Sequence, residues 1–195
     1  MSVLAFVYPI AYTSPEVLSL TVAKKQLKME DLGTFDDDII SDCIEAAIDE
    51  AESYINSNIR ERKFRVSFQG WSQDHEIIKQ KITSVDSITY KDEAGDSQTL
   101  SADHYELLPV DKYASIIHFK DFDNLPSLKE DINDAVSINI TVGYGSGNIP
   151  KGLMQGIKLM MTDNYNIRNN RESKGYLDTA RMKLEPYKYY TIPKE

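Results

Sequence analysis

The sequence predicts an α+β fold, a helical core with an inserted antiparallel β-sheet subdomain. Two changes of hydrophobic period predict it. Up to about residue 62 the apolar residues recur with the period of a helix, from Lys63 to residue 145 they alternate with a period of two, and after Ile149-Pro150 the helical period returns. The longest helical pattern is the third observation. Between Asp36 and Ile59, residues Ile39, Ile40, Cys43, Ile44, Ala47, Ile48, Ala51, Tyr54 and Ile55 are separated by steps of one and three. That spacing draws a stripe wide enough for a core face, on a rod of about 30 Å.

Taken in order, residues 1–18 read as an extended N-terminal arm in which Pro9 and Pro15 oppose regular structure. Leu20 to Met29 form a short helix with Thr21 as its cap and Val22, Ala23 and Leu27 facing inward. Gly33 ends that unit, and the central helix completes an αα-hairpin. Asp36, Asp37 and Asp38 stand where unpaired N–H groups and the helix dipole favour negative charge. Residues 19–62 and 146–195 thus make the helical core, and 63–145 the inserted β subdomain. Its strands, about five, are expected around Phe64–Phe68, Ile82–Asp92, His104–Pro109, Ser115–Phe119 and Ala135–Gly145, with a turn at Gly95. Pro150 opens the next helix, whose inward face is Leu153, Ile157, Met160, Met161 and Tyr165. Gly156 lies mid-helix, at a cost of about 1 kcal/mol relative to alanine unless another backbone approaches there. A last short helix lies near Leu177 to Tyr190.

Composition excludes several classes. The net charge of −9 argues against a protein that coats nucleic acid, and no apolar run approaches the roughly 20 residues that cross a bilayer. The N-terminal stretch has no basic lead and contains two prolines, which predicts no signal peptide. The single cysteine, Cys43, falls on the apolar helix face and predicts a buried thiol in a reducing cytoplasm. Charge is unevenly spread: residues 1–62 carry −7 and residues 146–195 carry +4.

Catalytic or metal chemistry is not indicated. His75, His104 and His118 lack ligand spacing, and His104 and His118 are expected to be ordinary strand residues. Gly143-Tyr144-Gly145-Ser146-Gly147 is out of register for a nucleophile elbow and lacks the lysine of a phosphate loop, so it reads as a flexible strand-to-helix turn. His75 with Asp74 and Glu76, the nearest thing to a polar cluster, reads as a surface loop. No cofactor and no metal are expected. Twelve tyrosines, several in the arm and at Tyr187, Tyr189 and Tyr190, suit protein interfaces.

The ordered segments LTVAKKQLKME, DDDIISDCIEAAIDEAESYI, VDSITYKDEAGDSQTL with HYEL, ITVGYGSGNIPKGLMQGIKLMMTDNYNIRNNRE and LEPYKYY cover roughly residues 19–190. In them the chain resembles the phage head–tail connector, or DNA-packaging adaptor, family of tailed phages and prophages. The resemblance implies a helical connector core and a structural virion protein that is not an enzyme. It implies a homo-oligomeric ring, commonly a dodecamer, docked below the portal protein to complete DNA packaging and join head to tail. A tail or stopper protein would be the partner on the other side, with packaged DNA only as channel content and no membrane contact. The protein would reside in the virion, assembled in the host bacterial cytoplasm.

The complementary ends of the chain suggest how such a ring would close: Asp42, Asp49, Glu50 and Glu52 on the acidic helix against Lys158, Arg168, Arg171 or Lys174 of the next copy. Two other classes stay open: a nucleic-acid-binding module using Arg168, Arg171, Lys174, Arg181 and Lys183, and a small enzyme of phage DNA metabolism.

Overall fold

The computed structural model describes residues 6–12, 16–29, 33–78, 82–109, 114–144, 147–168 and 175–189. The chain divides into two compact units. One contains residues 1–14 and 60–143, the other residues 15–59 and 144–195.

The helical unit is built on α1 (Leu20–Leu27), α2 (Asp37–Ile55), α3 (Lys151–Arg168) and α4 (Tyr176–Leu184). The stripe read from the sequence is the core face of α2: Ile40, Cys43, Ile44, Ala47, Ile48, Ala51 and Ile55 are all buried. They meet Leu153, Ile157, Met160, Met161 and Tyr165 of α3 and Ala180 and Leu184 of α4 in one core. The helix stops at Ile55 because Asn56 turns left-handed, at φ 54°, a conformation that asparagine tolerates at a helix C-terminus.

Details of the helix ends differ from the sequence reading. Ser19, and not Thr21, caps α1 by accepting the Val22 N–H, and Val22 faces outward while Ala23 is buried. Asp37 and Asp38 stand in the first turn of α2, as the sequence predicts, while Asp36 bonds elsewhere. Asp36 makes no side-chain capping bond; its carboxylate accepts the Tyr165 hydroxyl at 2.7 Å, and Asp37 forms an ion pair with Lys24.

Gly156 has the close neighbour that its position calls for. A Cβ there would lie 2.7 Å from the Leu184 side chain and 3.3 Å from the Ala180 carbonyl oxygen. Leu184 is fully buried, so it has nowhere to go. Gly156→Ala should therefore lose the helix-propensity gain of about 1 kcal/mol to overpacking of 1–3 kcal/mol. A lowered urea midpoint at unchanged m-value is the expected reading.

Among the described residues the other unit carries eight strands in two antiparallel sheets, where the sequence predicts about five. The five-stranded sheet has the order β1-β2-β8-β4-β5, and the three-stranded sheet the order β3-β7-β6. Their ranges are β1 (Phe6–Tyr12), β2 (Arg62–Phe68), β3 (Asp74–Ile78), β4 (Ile82–Lys91), β5 (Ser97–Leu100), β6 (Tyr105–Pro109), β7 (Ala114–Phe119) and β8 (Val136–Val142). One core holds both sheets: Val66, Phe68, Ile88, Ile138 and Ile140 of the larger pack with Ile117 and Phe119 of the smaller. The opposite face of the larger sheet is polar and internally bonded. Ser67 meets Ser137 at 3.0 Å, Arg65 donates to Asn139, and Thr141 donates to Asp86.

Three strands escaped the sequence reading. β1 lies in the arm, where prolines suggested no regular structure. It is an edge strand with a register shift between Pro9 and Ala11, and an edge accommodates a residue without N–H. β5 is the short return of the hairpin turned at Gly95, φ 92°. β3 is the segment read as a surface loop around His75.

Candidate interface surfaces

His75 belongs to the fold. It is 3% exposed, pairs in register with Ile117, and accepts the Ser72 N–H at its Nε2 over 3.3 Å. The rings of Phe68 and Phe119 stand 4.0 and 5.6 Å from its own. Its neighbour Asp74 points elsewhere and bonds His118 Nδ1 across the β3–β7 pair at 2.7 Å. His104 lies in a 3-10 turn before β6, not in a strand. Burial pushes the His75 pKa down to about 4, against a smaller upward pull from Asp74. The ordinary value is near 6.5, so between pH 6.5 and 4 the unfolded chain binds a proton that the folded one refuses. Stability is thus complete above pH 6.5 and falls by about 2–3 kcal/mol by pH 4.5 from this group. In His75→Phe the difference in melting temperature between pH 7 and pH 4.5 should shrink accordingly.

The acidic residues of α2 differ in their surroundings. Asp42, Asp49 and Glu50 are exposed. Glu52 is half-buried and its carboxylate accepts the Ile59 N–H at 2.8 Å, securing the chain beyond the helix end. One oxygen of Glu52 is thus engaged within its own chain. Glu50 and Asp49 border an open groove of about 700 Å³, together with Tyr54, Ile167, Leu177 and Arg181. The Tyr54 hydroxyl donates to the Glu185 carboxylate, and the Lys188 ammonium stands 4.4 Å from its ring. Sequence patterning places Tyr54 on the core stripe but does not show that it rims a groove. The exposed Ile167, on the outer side of α3, gave no separate signal.

Of the basic residues expected opposite these acids, Lys158 is half-buried on α3 and Arg168 is exposed at its end. Burial pushes the Cys43 thiol's pKa up, Arg168 opposes that rise and Asp42 adds to it. Arg168 and Asp42 therefore act on the same thiol within one chain. Arg171 and Lys174 lie outside the described residues, as does Ser146 of the glycine-rich turn. Among the described residues no group of three or more His, Cys, Asp or Glu could hold a metal ion, and no helix is long and apolar enough to cross a membrane.

Similar architecture is found in phage-like particles. A chain in the neck of an empty gene transfer agent particle, computed with C6 symmetry, matches with a TM-score of 0.74 at 18% identity over 97% of this chain and 98% of that one. The fold is that of these particle chains. A chain of the virion of the native gene transfer agent matches with a TM-score of 0.72 at 19% identity, with the same coverage. A chain of the native neck computed with C12 symmetry gives 0.65 at 16% identity, again over 97% and 98%. No protein-family model and no curated protein matches the sequence.

Proposed function

We propose that this chain is a structural protein of a phage-like virion, a head–tail connector that forms a ring in the neck. In this reading it docks below a portal protein, meets a tail or stopper protein on its other side, and surrounds packaged DNA as channel content. It performs no catalysis. The observation that carries the reading is the end-to-end likeness to a neck chain, 97% of this chain against 98% of that one, with both units included. Symmetries of C6 and C12 in those necks support a ring as the oligomer. The order of the sequence segments between residues 19 and 190 independently resembles the connector family.

Ring contacts are heterologous, one patch meeting a different one on the next copy. Asp42, Asp49, Glu50 and Glu52 against Lys158, Arg168, Arg171 or Lys174 is the charge pairing we propose, with one Glu52 oxygen also accepting the Ile59 N–H of its own chain. Exposed pairs contribute at most about 1 kcal/mol each, so they set register more than they hold the ring. Co-sedimentation with purified portal rings tests the assignment. The connector should travel with the portal, and Arg168→Glu with Arg171→Glu should weaken that assembly and change its salt dependence. Free sedimentation of both proteins at every salt concentration would reject it.

A further inference from the structure

We infer that β1 is an exchanged strand, paired in the assembled ring with β2 of the neighbouring copy. This inference rests on the ring reading. The strand sits at one end of the sheet order, with β2 as its sheet neighbour, in the register Phe6 with Ser67, Val7 with Val66 and Tyr8 with Arg65. The side chains described along it, Val7, Tyr8, Pro9 and Ile10, are all exposed, three of them large and apolar at 59%, 53% and 47%. Backbone pairing therefore ties β1 to its sheet, and β2 of any copy offers the same ladder. The chain path adds a second reason. β1 groups with the sheet unit, yet residues 15–59, which follow it, belong to the helical unit. Only Thr13 and Ser14 separate the strand from that change of unit.

An element joined covalently to one unit and by hydrogen bonds to another can exchange between identical copies while keeping its bonds. An exposed apolar edge strand is also a liability that folded proteins cover. Exchange around a closed ring would place Val7, Tyr8 and Ile10 between subunits. The irregularity at Pro9 breaks the outer edge, so it poorly templates open-ended strand addition.

Cysteine pairing in a Cys43→Ala background decides the matter. One chain carries Tyr8→Cys and the other Arg65→Cys, both at exposed, register-matched positions where facing Cα atoms stand about 4.5–5.5 Å apart. The two are co-expressed, the assembled fraction is isolated with portal, and it is oxidised. The expected result is a cross-linked dimer containing one of each chain, absent when either chain is assembled alone. A chain carrying both substitutions should give a ladder of multimers. Assembled rings in which the doubly substituted chain closes its disulfide internally, and the mixture gives no mixed dimer, would overturn the exchange and leave the ring standing. Protein that stays monomeric with and without portal would overturn the ring reading and the exchange with it.

Discussion

Ile48→Asp should abolish folding. Ile48 is 1% exposed in the centre of α2, between Ile44 and Ala51 on the face that meets α3. A carboxylate placed there loses its hydration and finds no cation in an apolar core, which costs several kcal/mol. Removing the branched side chain adds the cavity cost of a large-to-small change, typically 2–5 kcal/mol for isoleucine to alanine. Together these approach or exceed the 5–15 kcal/mol that hold an ordinary domain together. The variant is expected in the insoluble fraction, or soluble without a cooperative thermal transition. Ile48→Val, which keeps the packing apolar, should cost only about 0.5–1.5 kcal/mol and melt cooperatively. A soluble Ile48→Asp protein with an unchanged melting temperature would show that α2 is not the core element.

Gly143→Ala is the second large effect, and it arises from backbone rather than side chains. Gly143 ends β8 at φ 94°, a conformation that L-residues rarely adopt. A Cβ there would lie 2.3 Å from the Arg60 carbonyl oxygen, 2.8 Å from the Arg60 carbonyl carbon and 3.2 Å from the Glu61 Cα. None of these atoms is the loose end of a side chain, so the two strands would have to separate at the Arg62–Val142 pair. Strain of about 1–3 kcal/mol from the dihedral is thus joined by the clash, and a loss of at least 3 kcal/mol is expected in urea titration. Gly147 is the useful control. Its φ is 81°, but a Cβ there meets nothing within 4 Å, so Gly147→Ala should show the dihedral cost alone.

How far the sequence discloses this protein depends on where a residue's environment is set. The helix α2 is legible because a 3.6-residue period with acids on the far side has one burial solution, and its seven core residues follow from spacing alone. Strands β2, β4 and β8 are legible for the same reason at a period of two. Strand β3 is not: Asp74, His75 and Glu76 are polar letters, and His75 is buried because Phe68 of β2 and Phe119 of the remote β7 close around it. Strand β1 is hidden by Pro9, whose missing N–H is tolerated at a sheet edge that the sequence does not announce. The division of the strands into two sheets depends on pairings between residues far apart in sequence, and local alternation says nothing about it.

The candidate surface is legible only in part. Asp49 and Glu50 were identifiable as outward residues, but the groove they border needs Leu177 and Arg181 from α4, more than a hundred residues later. Glu52 reads like its neighbours in sequence, and the bond its carboxylate accepts from the Ile59 N–H follows from the left-handed turn at Asn56. Charge asymmetry between chain ends suggests complementary patches. It does not show that Arg168 and Asp42 act in opposite senses on the Cys43 thiol within one chain.

In the proposed reading this chain builds a ring that joins a portal to a tail. Electron microscopy of the purified protein mixed with portal rings tests it most directly. The connector reading predicts end-on views of a closed ring of this chain, six- or twelvefold like the necks of similar fold, and side views with that ring stacked on one face of the portal. Portal particles with bare faces, beside a 22.2 kDa connector protein that remains monomeric at every concentration, would contradict it.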